Sequence, residues 1–136
     1  MPLDYLDAYR RHLSDADRLF DDQRFPNADH LYGLSAECGL KAIMLKFGMP
    51  MNNDMPDKKA DMKHANVIWM RYESYRCGFD AAGKYALSAN PFSDWSITQR
   101  YDHRADFDET RTRPHKAGAE VVANLVRMVD TDMGLP

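Results

Sequence analysis

Four stretches of the chain place apolar residues at steps of three and four, the spacing of one face of an α-helix. They run from about Asp4 to Asp22, from Ala28 to Gly48, from about Met62 to Leu87 and from Pro114 to about Asp132. A chain of 136 residues fits one domain with a real core. The pattern therefore predicts an all-α fold, an antiparallel up-and-down four-helix bundle over residues 1–136 with one long irregular loop before the last helix.

The stretch from Ala28 to Gly48 is predicted to be the central helix, because its apolar or small residues lie on more than one side. Gly33, Ala36 and Gly39 allow close backbone approach, so we interpret them as a packing groove. This helix is expected to contact several neighbours.

Turn residues mark where the helices stop. Arg24 to Asn27 contains a proline and predicts a tight turn, and the segment MPMNNDMPD after Gly48 predicts a loop. The methionines of that loop, Met49, Met51 and Met55, either cover the end of the bundle or contact a partner. Asn90 and Pro91 are expected to close the third helix, and no region is convincing as a strand.

The irregular stretch from Pro91 to His115 is the first place to look for a site, since long loops in small domains tend to be functional. The last helix is expected to begin at Pro114 with a cap near Thr112. Cationic side chains gather here, at Arg100, Arg104, Arg111, Arg113 and Lys116, together with His103 and His115. They form either a phosphate or RNA patch, with Tyr101, Trp95 and Phe107 as stacking faces, or a loop whose charges pair with the interleaved acids.

Composition excludes several classes. The 18 basic and 21 acidic residues give a net charge of −3, so no global charge favours nucleic acid and any such binding needs a local patch. Cys38 and Cys77 lie in helical patterns and are predicted to be buried thiols rather than a disulfide. The charged N-terminus lacks a signal-peptide core and no apolar run is long enough for a membrane span, so we expect a soluble, cytoplasmic protein that does not bind membranes.

Metal and cofactor chemistry have little support in the spacing. Asp61 with His64, or Asp102 with His103 and Asp106, have suitable ligand types but no recognised metal-binding pattern. No phosphate-binding glycine loop is present either. We therefore expect no metal and no cofactor.

Glu37 and Lys41 are four residues apart on the second helix. They either pair with each other or one of them orders Arg100 or Asp102 of the long loop through a buried ion pair. Both interpretations stay open at the level of sequence.

The order of several motifs resembles that of the HEPN superfamily over most of the chain. These motifs are DADRLF, YGLSAECGLKAIMLKFG, KHAN and QRYD. The segment from Ala36 to Lys41 is similar to the Ala-Glu-x-x-Leu-Lys pattern of the second HEPN helix. The resemblance implies a four-helix bundle, often a homodimer, found in toxin-antitoxin and phage-defence systems and commonly tied to RNA or nucleotides, with an antitoxin or a nucleotidyltransferase as partner.

Many HEPN proteins are metal-independent ribonucleases in which four to six residues separate an Arg from a His near the start of the last helix. Here three residues separate Arg111 from His115 and two separate Arg100 from His103. Arg24 and His30 have five residues between them but lie at the first turn. We therefore expect a non-catalytic binding or regulatory module in an RNA-, nucleotide- or defence-related system, with a ribonuclease or a dimerising protein-interaction domain as alternatives.

The resemblance and the local chemistry together assign candidate residues to each role. A ribonuclease would use His115 or His103 as acid or base, with Arg111 or Arg100 stabilising charge on the phosphate. The candidate ligand-binding residues are Arg100, Tyr101, Arg104, Arg113, Lys116, Glu37 and Lys41.

Overall fold

The computed structural model describes residues 3–80 and 82–136, and most of them lie in four α-helices. The helices are α1 (Tyr5–Asp21), α2 (Phe25–Lys46), α3 (Ala65–Phe79) and α4 (Glu109–Met133). Two short strands, β1 (Met51–Asn52) and β2 (Met55–Pro56), lie between α2 and α3. Single 3-10 turns occupy Lys59–Met62, Ile97–Tyr101 and Arg104–Asp106. The expected predominance of helix is confirmed.

The turn between α1 and α2 comprises residues 22–24, so α2 begins at Phe25, three residues before its predicted start at Ala28. Asp4 caps α1 by accepting a hydrogen bond of 2.9 Å from the backbone N–H of Asp7. Gln23 adopts a left-handed φ of 62°, and Pro26 lies in the first turn of α2, where a missing N–H costs nothing. The chain thus reverses within three residues.

Helix α2 is the central element of the core. It contacts α1, α3 and α4, and its fully buried apolar residues include Tyr32, Leu40, Ile43 and Met44. The predicted packing groove is confirmed, because a Cβ at Gly33 would overlap the Trp95 indole and a Cβ at Gly39 would lie 2.7 Å from Val122 Cγ1. Glycine therefore lets the long loop and α4 approach the backbone of α2.

The loop after α2 contains a small hairpin that the sequence analysis did not predict. Met51 pairs with Pro56 and Asn52 with Met55 in antiparallel register. Asn53 and Asp54 form its turn with φ of 53° and 65°, which short polar side chains tolerate. The expectation that no strand forms is wrong to this extent.

The loop methionines divide between the two predicted roles. Met49 is buried in the core, so it covers the end of α2 as one interpretation held. Met51 and Met55 remain exposed.

Helix α3 is shorter than predicted. It ends at Phe79, not at Leu87, because the Asp80 carboxylate accepts hydrogen bonds from the backbone N–H groups of Lys84 and Tyr85 and folds the chain back. Gly83 lies within this bend and adopts a positive φ of 75°. Asn90 and Pro91 therefore do not close the helix.

Helix α4 begins earlier than predicted, at Glu109. Asp108 is its cap and accepts a hydrogen bond of 2.9 Å from the backbone N–H of Arg111, so the predicted cap near Thr112 is wrong. Pro114 lies inside the helix. The irregular stretch therefore ends earlier, at residue 108, but it also begins earlier, directly after α3, and its side chains of Phe92, Trp95 and Phe107 are buried.

The two cysteines are free and differ in environment. Cys38 is partly buried, and burial raises the pKa of its thiol to about 12. Cys77 is exposed near the end of α3, so the prediction that both thiols are buried is wrong for this residue. It lies on the outward side of a helix that has packing partners on its other side.

Among the described residues, no helix combines the length and the apolar character that crossing a membrane requires.

Candidate functional site

A buried histidine joins α2, the long loop and α4. The His115 ring is fully buried, with Nδ1 2.7 Å from Asp29 Oδ2 and Nε2 2.7 Å from Asp94 Oδ1. Burial alone would lower the pKa of His115, but the hydrogen bonds and charges of Asp29 and Asp94 raise it above its ordinary value. The charged imidazolium can donate to both carboxylates at once.

The same carboxylate holds the loop in place. Asp29 Oδ1 accepts a hydrogen bond of 2.5 Å from Gln99 Nε2, and its backbone carbonyl accepts one of 3.1 Å from Trp95 Nε1. The Gln99 side chain also accepts from the backbone N–H of Ser96, which closes a capping box around the 3-10 turn Ile97–Tyr101. The turn that carries Arg100 is thus attached to α2 by buried polar contacts.

A cleft of about 510 Å³ lies beside this turn, and we call it the arginine cleft. Two segments of the chain line it, the start of α2 and the two 3-10 turns before α4. Its lining residues are Gln23, Arg24, Phe25, Pro26, Asn27, Gln99, Arg100, Asp102, Arg104 and Phe107. The cleft therefore combines cations, amides and two aromatic rings.

The charge of the arginine cleft is positive on a protein whose net charge is negative. Three guanidinium groups, of Arg24, Arg100 and Arg104, face one carboxylate, of Asp102. Within residues 3–80 and 82–136, none of the three arginines makes an ion pair, whereas Arg71, Arg76 and Arg113 all do. Arg100 instead lies over the Tyr101 ring, 4.9 Å from its centroid. An anion is the missing partner that this set of side chains would bind best.

The start of α2 adds to the positive potential of the cleft. Arg24 is its N-cap residue, and no described side chain accepts a hydrogen bond from the first turn. The N-terminus of a helix has a partial positive charge and N–H groups without helical partners. These groups favour an anion near the arginines.

The candidate catalytic residues are not gathered in one cleft. Arg100 lines the arginine cleft, whereas His115 lies in the buried network with both ring nitrogens bonded. His103 is exposed and its Nδ1 accepts from the backbone N–H of Ala105 at 3.0 Å. Arg111 lies over the Phe107 ring, 4.8 Å from its centroid. Burial raises the pKa of Asp94, but the hydrogen bond and charge of His115, with a smaller contribution from Arg111, hold that pKa below its usual range.

The candidate ligand-binding residues also separate into two groups. Arg104 and Arg100 line the cleft, and the exposed Tyr101 lies against Arg100. The other candidates are engaged in ion pairs: Arg113 with Glu109 at 2.8 Å, Lys116 with Asp17 at 3.3 Å and Glu120 at 2.9 Å, and Lys41 with Glu37 at 3.1 Å.

The Glu37 and Lys41 pair follows the first of its two interpretations. Both residues are buried, and Glu37 Oε1 also lies 3.0 Å from His64 Nδ1. Neither side chain pairs with Arg100 or Asp102 in the described part of the chain. This pair therefore belongs to the core near α3 and does not order the loop.

Two of the residues considered for metal binding, Asp61 and His64, have charged protein partners. Asp61 pairs with Arg71 at 2.7 Å, and His64 with Glu37. The part of the chain that the structure describes has no group of three or more side chains of His, Cys, Asp or Glu arranged to hold a metal ion.

The sequence analysis missed Arg24, Asn27 and Gln99 as cleft residues and Asp29 and Asp94 as partners of His115. Arg24 had one signal, its position next to a predicted turn and helix start. His30, which five residues separate from Arg24, stacks on Trp95 with ring centroids 5.8 Å apart and does not line the cleft.

Comparisons of this chain with protein-family models, with curated proteins and with solved structures give no match.

Proposed function

We propose that this chain is a non-catalytic binding module for a phosphate-bearing ligand, RNA or a nucleotide, which it holds in the arginine cleft. The observation that carries the proposal is a set of three arginines, Arg24, Arg100 and Arg104, that have no ion-pair partner among the described residues and line a cleft of about 510 Å³. Guanidinium groups match phosphate oxygens in geometry and charge. Cavities of about 300–1,000 Å³ are the usual size for small-molecule sites.

We further propose that the four helices form an antiparallel up-and-down bundle of the HEPN-like type, as the motifs of α2 imply. In that context the module would serve a regulatory role in a toxin-antitoxin or defence system, with a homodimer and an antitoxin or nucleotidyltransferase as partners. The buried contacts from α2 to Gln99 support a binding role, because they fix the loop that carries two of the three arginines.

Titration of a labelled single-stranded oligoribonucleotide at two salt concentrations tests the proposal. Binding through the three arginines predicts that the affinity falls as the salt concentration rises, since each phosphate that the arginines neutralise releases its counterions. The variants Arg24→Gln, Arg100→Gln and Arg104→Gln should each weaken binding and reduce that dependence on salt. Arg127→Gln on α4 removes the same charge elsewhere and should leave binding nearly unchanged. An RNA affinity that is undetectable at low salt, or equal in all four variants, contradicts the proposal.

The alternative of a metal-independent ribonuclease rests on His103, which is exposed between the cleft residues Asp102 and Arg104. His115 does not suit this role as placed, because both ring nitrogens are bonded and the ring is buried. The RNA recovered from the binding experiment, incubated without metal, distinguishes the two functions. Intact RNA agrees with the binding module, whereas cleavage that His103→Ala abolishes establishes the enzyme.

A further inference from the structure

The positive charge of the arginine cleft exceeds what one internal phosphate of a nucleic acid would neutralise. Three guanidinium groups against the Asp102 carboxylate leave an excess of two positive charges. A phosphodiester carries one negative charge, whereas a terminal phosphate monoester carries about 1.5 to 2 at neutral pH, because its second pKa is about 6. The charge of the cleft therefore matches a monoester.

The three arginines also come from separate positions along the chain. Arg24 precedes α2, Arg100 lies in one 3-10 turn and Arg104 begins the next. A monoester offers three terminal oxygens as strong acceptors, and each guanidinium can donate two parallel hydrogen bonds. A diester has only two oxygens free of ester bonds. Donors from three positions are better satisfied by the group that has more acceptors.

From this match we propose that the arginine cleft recognises a terminal phosphate monoester, the end group of a nucleoside monophosphate or of a phosphorylated RNA, in preference to an internal phosphodiester. This inference rests on the proposed function, since it names the chemical group that the same cleft selects. The two sources share one chemistry and are separated by the experiment below.

The surroundings of the arginines agree with an end group rather than a continuous strand. The ring of Phe25 lines the cleft next to Arg24, and Phe107 lines it on the other segment. Apolar ring surface beside a charged pocket suits the base or sugar attached to a single phosphate.

The backbone that carries Arg100 is also preorganised in the absence of a ligand. Gln99 is buried and bonded to Asp29, and the next residue is Arg100. A cation whose backbone is fixed loses less conformational freedom on binding than one on a loose loop. Because the network of His115 and Asp29 supplies that fixation, the preference for the monoester depends on the intact fold.

Matched probes test the inference on the full chain. One oligoribonucleotide is prepared with a 5′-phosphate, with a 3′-phosphate and with hydroxyls at both ends, and adenosine monophosphate is compared with adenosine. The phosphorylated probes should bind about tenfold to a hundredfold more tightly than their unphosphorylated counterparts, as expected for additional charge-assisted hydrogen bonds. Arg100→Gln and Arg104→Gln should remove this ratio, and Arg127→Gln should preserve it.

The outcomes separate this inference from the proposed function. Equal, salt-dependent binding of the phosphorylated and hydroxyl-ended RNA overturns the monoester preference and leaves RNA binding in place. Absence of binding by every probe overturns both. A phosphate-dependent ratio with adenosine monophosphate identifies a nucleotide site, and a ratio seen only with the oligoribonucleotides identifies an RNA end; each of these supports the inference.

Discussion

His115 connects α2, the long loop and α4 beside the candidate site. Its ring nitrogens bond Asp29 of α2 and Asp94 of the loop, and the Phe92 ring stacks on the imidazole with the two centroids 5.4 Å apart. A positive ring between two carboxylates stabilises a fold only while the proton is present. The residue therefore links the pH to the stability of the loop.

We predict that His115→Gln lowers the free energy of unfolding by about 2 kcal/mol near neutral and mildly acidic pH, since the buried Asp29 loses its cationic partner. The folded state raises the pKa of His115 above the value of about 6.5 expected in the unfolded chain. The stabilisation is thus complete below that pH and is lost as the pH rises through the higher pKa of the folded protein. On the acid side, the pKa of Asp94 is lowered, so its contribution disappears only below about pH 4.

Urea unfolding of the wild type and His115→Gln at about pH 5.5 and about pH 8.5 measures this effect. The stability difference between the two proteins should be larger at the lower pH. Arg127→Gln is the control, because this exposed side chain lies outside the network of His115 and should leave stability nearly unchanged at both values. A difference that grows with pH would contradict a charged His115.

At the scale of elements, the approach of the long loop to α2 depends on one missing side chain. Trp95 packs against Gly33, and its indole N–H donates to the Asp29 carbonyl one turn earlier on the same helix. The indole therefore cannot move away without losing a buried hydrogen bond.

We predict that Gly33→Ala destabilises the protein by about 1–3 kcal/mol, the usual cost of overpacking a filled core. Gly78→Ala in α3 is a matched control of opposite sign, because its Cβ would meet nothing within 4 Å. Removing that helical glycine should stabilise by about 0.5–1 kcal/mol. Thermal unfolding of the wild type and the two variants gives the order of their stabilities. A Gly33→Ala protein as stable as the wild type would refute the close contact.

The elements that the sequence predicted well are those set by local pattern. The extents of α1 and α2 follow closely from apolar spacing, which acts within a few residues, although α2 begins before Pro26 because proline fits the first turn of a helix. Helix α3 was predicted too long because Ala82 and Ala86 continue its spacing, whereas the Asp80 side chain ends it. The start of α4 was misplaced because Asp108 and Thr112 are both plausible caps, and sequence alone does not choose between them.

The candidate site was predicted only in part, since its assembly depends on residues far apart in sequence. Arg100 and Arg104 were found because they lie in a conspicuous cationic stretch. Arg24 joins them only through the fold, and Asp29 meets His115 across 86 positions of the chain. A charged residue on a buried helix signals a partner, but it does not say which segment supplies it.

At the scale of the whole molecule, the expected homodimer requires an apolar surface that one chain leaves exposed. The breadth of the apolar surface on α2 is used within one chain, by α1, α3, α4 and the loop. Helix α3 in contrast packs mainly on α2 and leaves Val67 45% exposed, Met70 63% and Phe79 50%. Such apolar side chains on one outward helix are the surface that a second copy would bury.

We therefore predict a dimer through α3 in sedimentation at micromolar concentration, at twice the 15.7 kDa mass of one chain. Met70→Lys should convert the dimer to the monomer, because each of the two copies would bury a charge without a partner at the centre of an isologous interface. Val121→Lys alters a residue that is 41% exposed on α4 and should leave the dimer intact. A wild-type protein that sediments only as a monomer would remove the dimer, while the arginine cleft, which lies within a single chain, would retain its predicted ligand.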